Sequence, residues 1–152
     1  MPPSVEDAIA LAARAHSGQR YASPRREPYV FHSLRIMLLF DEPAHQMVAV
    51  LHDSIEDTDL DVHDLDEAGY PPEVIEAVDA MTHRAHEAYD DYIDRLATNQ
   101  IARCVKVADL RENLSNNRRL PSSPERDERI ARYERALGRL GATSSSRQGD
   151  GF

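Results

Sequence analysis

The sequence predicts an all-α protein, and three observations carry that expectation. Apolar residues recur at helical rather than alternating spacing, for example Val74, Ile75, Val78 and Met81, or Ile130, Tyr133, Leu137 and Leu140. Capping residues and prolines punctuate the chain at helix-length intervals. No alternating strand pattern runs longer than a few residues, and there is no internal repeat. The expected architecture is a single helical bundle of about seven or eight helices.

The elements follow in order. Ser4 can cap a helix over residues 5–16, with Asp7 placed for a capping box and Gly18 beyond its end. Residues 18–30, rich in proline, arginine and glutamate, read as a loop. Residues 31–40 form a short apolar helix, and Pro43 opens the next, running to about Glu56. Asp61 can cap a short helix that stops at Gly69. Pro71 and Pro72 start another. Helices over 89–96 and 101–114 follow, then a polar turn, SNNRRLPSSP, and a last helix over 125–140. The bundle is thus expected over 1–140. The Gly/Ser-rich end, 141–152, is expected to be a disordered tail.

With 152 residues, the chain is the size of one domain with one core. It lacks a long apolar run and a basic-then-apolar N-terminus, so neither a membrane span nor a secretory signal is expected. A lone cysteine, Cys104, excludes an intrachain disulfide and agrees with a cytoplasmic setting; its apolar surroundings make it a core thiol. The formal charge of −9 disfavours nucleic acid as a partner. It leaves room for a small phosphorylated ligand held by a local cluster of cations.

The stretch VLHDSIEDT (residues 50–58) is the chemical oddity of the chain. If the helix continues through it, His52 lies over Glu56 and Asp53 over Asp57, so all four share one sector. The preceding residues are apolar on nearly every side, which argues for burial. Unpaired buried carboxylates cost several kcal/mol, so a positive group must face them. A divalent cation meets that need with imidazole and carboxylate ligands. His32, at the start of an apolar run, and Asp109, at the end of one, are misfits of the same kind. With His52 and Asp53 they would make a four-donor set that leaves positions for water and substrate. The bland alternatives are core histidines held by hydrogen bonds and aspartates serving as caps.

These residues resemble the HD-domain metal-dependent phosphohydrolases, whose pattern is H…HD…D. The similarity is greatest to the hydrolase domain of the bifunctional alarmone enzymes and to the small alarmone hydrolases. It rests on VLHDSIEDT, PYVFHS, KVADLRENL and the opening AARAHSGQR, and covers about residues 5–140. The resemblance implies His32, His52, Asp53 and Asp109 as ligands of one divalent metal, usually manganese. It implies Glu56 and Asp57 as the pair that orients or activates the attacking water, and Asn113 as a nucleotide contact. Its reaction is removal of the 3′-pyrophosphate of (p)ppGpp-type alarmones.

Arg20, Arg25, Arg26, Lys106 and Arg111 are the available phosphate binders, with Lys106 foremost because it lies three residues before Asp109. Tyr29 is a candidate to stack on a base. His83 and His86 read as a solvated loop, and His16 as a packing or capping residue. The chain departs from the family in three places. Ser33 replaces a proline after the first histidine. Tyr21 and Ala22 stand where relatives often carry basic residues, the basic pair coming later as Arg25 and Arg26. The segment between the aspartate motifs is short. The displaced basic pair leaves open a nucleotide phosphatase acting on another 3′- or 5′-phosphate. A non-catalytic nucleotide-binding module is a further alternative, disfavoured by the intact Glu56–Asp57 pair. The size and acidity permit a homodimer.

Overall fold

Residues near each other in sequence make helices here, and one nearly apolar helix organises the rest. The computed structural model describes residues 1–22 and 24–144. Among them are nine helices and no strand: α1 (Val5–Ala15), α2 (Val30–Met37), α3 (Pro43–Leu51), α4 (Ser54–Asp57), α5 (Val62–Glu67), α6 (Pro72–Ala80), α7 (Tyr89–Leu96), α8 (Gln100–Arg119) and α9 (Pro124–Arg139). No helix among them is long and apolar enough to cross a membrane.

Local chemistry sets most boundaries. The Ser4 hydroxyl accepts from the Asp7 amide while Asp7 takes the Ser4 amide, and Asp61 and Asp64 repeat this capping box at α5. Gly69 adopts φ 87° after α5, and the Tyr70 amide closes back on the Leu65 carbonyl at 3.1 Å. Ser123 caps α9 ahead of Pro124.

α3 lies at the centre. Met47, Val48, Ala49, Val50 and Leu51 are all buried, and the helix packs against α1, α2, α6 and α8. Each buried Val or Leu contributes about 1.5–3 kcal/mol against its exposed state. Four neighbours around one helix fix where its C-terminal end points, and the HD pair is placed there.

Three boundaries differ from expectation. The helix expected over 43–56 is broken: α3 stops at Leu51, Asp53 takes φ −100° and ψ 0°, and the one-turn α4 follows. That break turns eight expected helices into nine. α8 runs on through the segment read as a polar turn, to Arg119. The Asn117 side-chain amide donates to the Asn113 carbonyl at 2.8 Å, its oxygen accepts from Arg129 at 2.8 Å, and Asn116 reaches the Ala22 carbonyl. Asn117 thus back-bonds within its own helix, while Arg129 of α9 and the Ala22 carbonyl hold the segment from outside. Lastly, the start of the expected tail is docked: the Ala142 amide meets the Leu137 carbonyl at 2.9 Å, and Arg111 donates to the Thr143 carbonyl at 3.0 Å. The rest of that tail, 145–152, lies outside the described residues.

Candidate metal centre

The break after α3 is what aims the HD pair. His52, following the last residue of α3, keeps a helical backbone, and its Nδ1 meets the Ala49 carbonyl at 2.5 Å. With Nδ1–H as donor there, Nε2 faces inward as a lone-pair donor. Asp53, off the helical path, turns its carboxylate to the same point: His52 Nε2 and Asp53 Oδ2 are 2.9 Å apart. α2 brings His32 from one side and α8 brings Asp109 from another. Asp109 Oδ1 lies 2.9 Å from His32 Nε2 and 3.3 Å from His52 Nε2.

One donor atom from each of His32, His52, Asp53 and Asp109 falls within 4.8 Å of the others. His32, His52 and Asp109 are buried, and Asp53 is partly so. The edge of an octahedron with ligand bonds of about 2.1 Å is about 3.0 Å, so the 2.9–3.3 Å contacts are already spaced for a cation between them. His52 Nε2 is buried and makes no well-directed hydrogen bond among the described residues, facing the Asp53 and Asp109 carboxylates at 2.9 and 3.3 Å, a placement suited to a ligand atom. Two imidazoles and two carboxylates suit a borderline divalent ion. The donor set fits a metal.

The charges agree. Burial opposes ionisation of Asp109, but Lys106, His32 and His52 outweigh it and hold the carboxyl well below the usual range. Burial likewise opposes ionisation of Asp53, yet His52 above all brings it down to about 2. Burial lowers the basicity of both imidazoles, and the facing carboxylates more than restore it, so both sit above the ordinary histidine value. Two anionic carboxylates facing two imidazoles are ready to exchange protons for a metal ion.

A second layer holds these donors. The Tyr29 hydroxyl donates to Asp53 Oδ2 at 2.5 Å. Its ring sits edge-on to Tyr21 and His32, with centroids at 5.8 and 5.7 Å. The hydroxyl ties Tyr29 to Asp53, while its half-buried ring lines a cavity. Lys106 Nζ lies 2.9 Å from Asp109 Oδ2 and 5.4 Å above the Tyr92 ring, so it is committed to a ligand first. Asn113 donates to Asp109 Oδ1 at 3.1 Å and accepts from the Tyr21 hydroxyl at 2.6 Å.

Glu56 and Asp57 stand at the exposed mouth, not buried beside His52 and Asp53 as an unbroken helix would have them. The His83 amide donates to Glu56, and Gln19 Nε2 donates to the Asp57 carbonyl at 2.8 Å. Crowding against the protein, then the Asp53 and Glu56 charges, push Asp57 up to about 6. Glu56 is raised too, chiefly by partial burial. His83 is half-buried and stacked on Tyr92 at 4.8 Å, so only His86 matches the expected solvated loop. His16 caps α1 and bonds Gln19 at 2.9 Å.

The arginines divide. A cavity of about 330 Å³ includes Arg20, Tyr29 and Asn113, with Arg129 and Tyr133 from α9. Arg25 lines a separate cavity of about 360 Å³ with Arg35, Glu112 and Arg119, and Arg26 is exposed at φ 48°. Arg111 points its Nε to Thr143. Sequence reasoning missed Tyr21, Arg129 and Tyr133. A tyrosine directly after the Gln19–Arg20 pair was the one local signal; the other two lie on a helix remote in sequence.

No family model and no curated protein matches the chain. Among solved structures, a metazoan orthologue of SpoT, described as hydrolysing ppGpp and playing a role in starvation responses, is 25% identical. It superposes with a TM-score of 0.79 over 94% of this chain and 89% of that one. The chain has the HD-domain fold of the metal-dependent phosphohydrolases. The four donors come from α2, the α3–α4 joint and α8, and the acidic pair of α4 follows closely enough in the chain to feel the charge of Asp53.

Proposed function

We propose that the protein is a metal-dependent phosphohydrolase that removes the 3′-pyrophosphate of a (p)ppGpp-type alarmone. The observation that carries this is the convergence of one donor atom each from His32, His52, Asp53 and Asp109 within 4.8 Å. The solved neighbour that hydrolyses ppGpp supports the substrate class. Manganese is the inferred ion, and the cytoplasm the inferred setting.

When bound, the cation supplies a Lewis acid that polarises a phosphate oxygen and acidifies the attacking water. The chain does the rest. His32, His52, Asp53 and Asp109 hold the ion; Tyr29 fixes Asp53, while Lys106 and Asn113 fix Asp109. Asp57, with its carboxyl pushed up to about 6, is matched to take a proton near neutral pH. Glu56, anchored by the His83 amide, aligns the water. Arg20, Asn113 and Arg129 around the adjoining cavity supply polar contacts for the nucleotide, and Tyr133 an aromatic face. Water adds to phosphorus as Asp57 takes its proton, the bond to the 3′ oxygen breaks, that oxygen takes up a proton in turn, and pyrophosphate leaves.

The test is hydrolysis of ppGpp by the purified protein with manganese, resolving pyrophosphate from orthophosphate. Pyrophosphate release that disappears in Glu56→Ala and Asp53→Ala is expected. Full activity in Asp53→Ala, or with chelator present, would sink the reading. The exposed Arg26, and Arg25 on the other cavity, favour a second reading as a nucleotide phosphatase, for which the product would be orthophosphate.

A further inference from the structure

The two histidines of the centre are held differently. His52 Nδ1 has the Ala49 carbonyl at 2.5 Å, which fixes its tautomer. His32 Nδ1 is buried and without a hydrogen-bond partner among the described residues. Tyr21 stacks on the His32 ring at 4.7 Å and 15°, so the ring is held flat and cannot swing to seek an acceptor. One anionic oxygen faces that nitrogen: Glu112 Oε1, at 4.0 Å.

Glu112 is itself restrained. Arg35 Nε donates to Glu112 Oε1 at 2.5 Å, and Arg35 Nη2 holds Glu27 at 2.6 Å. Glu27, Arg35 and Glu112 form a chain of charges that ends on the rear of His32. Metal-bound histidines generally donate their second ring N–H to a carboxylate or carbonyl, which sets tautomer and basicity. For His52 the Ala49 carbonyl does this. For His32 the comparable group among the described residues is Glu112, about 1 Å beyond hydrogen-bond distance, on a side chain long enough to close it.

We propose that Glu112, held by Arg35, is the positioning residue of His32: it accepts the Nδ1 proton and commits Nε2 to the metal. The inference rests on the metal centre proposed above and adds to it a residue outside the four-donor set. Glu112 lies three residues after Asp109, so α8 supplies one ligand and the support of another.

The experiment is calorimetric titration of manganese into the metal-free wild type, Glu112→Ala and Glu112→Gln, with melting in chelator as a fold control. Glu112→Ala should weaken manganese binding about 10–100-fold. Glu112→Gln, which keeps an acceptor oxygen and removes the charge, should recover most of that loss. Arg35→Ala, which frees Glu112 to turn to solvent, should fall between the two. Unchanged affinity in Glu112→Ala, with the wild type binding normally, overturns the inference alone. Equal losses in the Ala and Gln variants also overturn it, because a distant charge would then account for the effect. Failure of the wild type to bind manganese overturns the metal centre, and the inference with it.

Discussion

Lys106→Met removes the cation nearest Asp109 while keeping a stem of similar length. Lys106 Nζ lies 2.9 Å from Asp109 Oδ2, the Lys106 side chain being 13% exposed and that of Asp109 4%. At that separation and an effective dielectric constant of about 20, the attraction is about 6 kcal/mol. Some of it is offset, because the ammonium regains no water in the folded state and the Met stem packs where Lys did. Breaking one partner from a buried pair typically costs about 3–5 kcal/mol. For a chain of this length, each kcal/mol moves the melting temperature by about 2–4 °C, so a fall of about 6–20 °C is expected. The test is melting and urea denaturation of the metal-free protein with chelator present. Manganese should restore more stability to the variant than to the wild type, since the ion relieves the same uncompensated carboxylate. A loss below about 1 kcal/mol, with an unaltered manganese response, would refute the assignment of Lys106 to Asp109.

Manganese at a hundredfold excess over its dissociation constant should stabilise the wild type by about 2.7 kcal/mol, readable as a rise in melting temperature that chelator reverses. His52→Ala should show no such rise; an undiminished one would remove His52 from the ligand set. Asp57 has a folded value of about 6 against an ordinary 3.8, so the folded state binds its proton more tightly than the unfolded chain does. Its contribution is therefore best at low pH and is lost as pH rises from about 4 through 6. Metal-free Asp57→Asn should thus be more stable than wild type at pH 7 and no more stable at pH 4; denaturation midpoints that differ equally at both would contradict this.

The clustered donors His32, His52, Asp53 and Asp109 were legible because each is an ionisable side chain set into an apolar run, a placement that local physics penalises. The helix break between them was not. Residues 43–56 are locally consistent with one helix, and the break comes from partners far away: Tyr29, 24 positions upstream of Asp53, and Asp109 across the bundle. The same holds for Tyr29, which read as a loose aromatic until its hydroxyl found Asp53. The extension of α8 was hidden by Ser115, Asn116 and Asn117, poor helix formers; Asn117 back-bonds to the Asn113 carbonyl one turn earlier and is tied by its oxygen to Arg129 of α9, a partner remote in sequence. On the substrate side, Arg129 and Tyr133 carried no motif at all; only the fold brings α9 beside Asn113.

The separation of the ligands along the chain also sets an order in time. His32 precedes Asp109 by 77 positions. At synthesis rates of about 5–20 residues per second, roughly 4–15 s pass between their emergence. During that interval a growing chain offers an ion at most His32, His52 and Asp53. Asp109 then arrives with Lys106, Glu112 and Asn113 on the same helix, so the last donor of the cluster and the side chains around it come together. On the proposed assignment, the complete donor set exists only once α8 has docked.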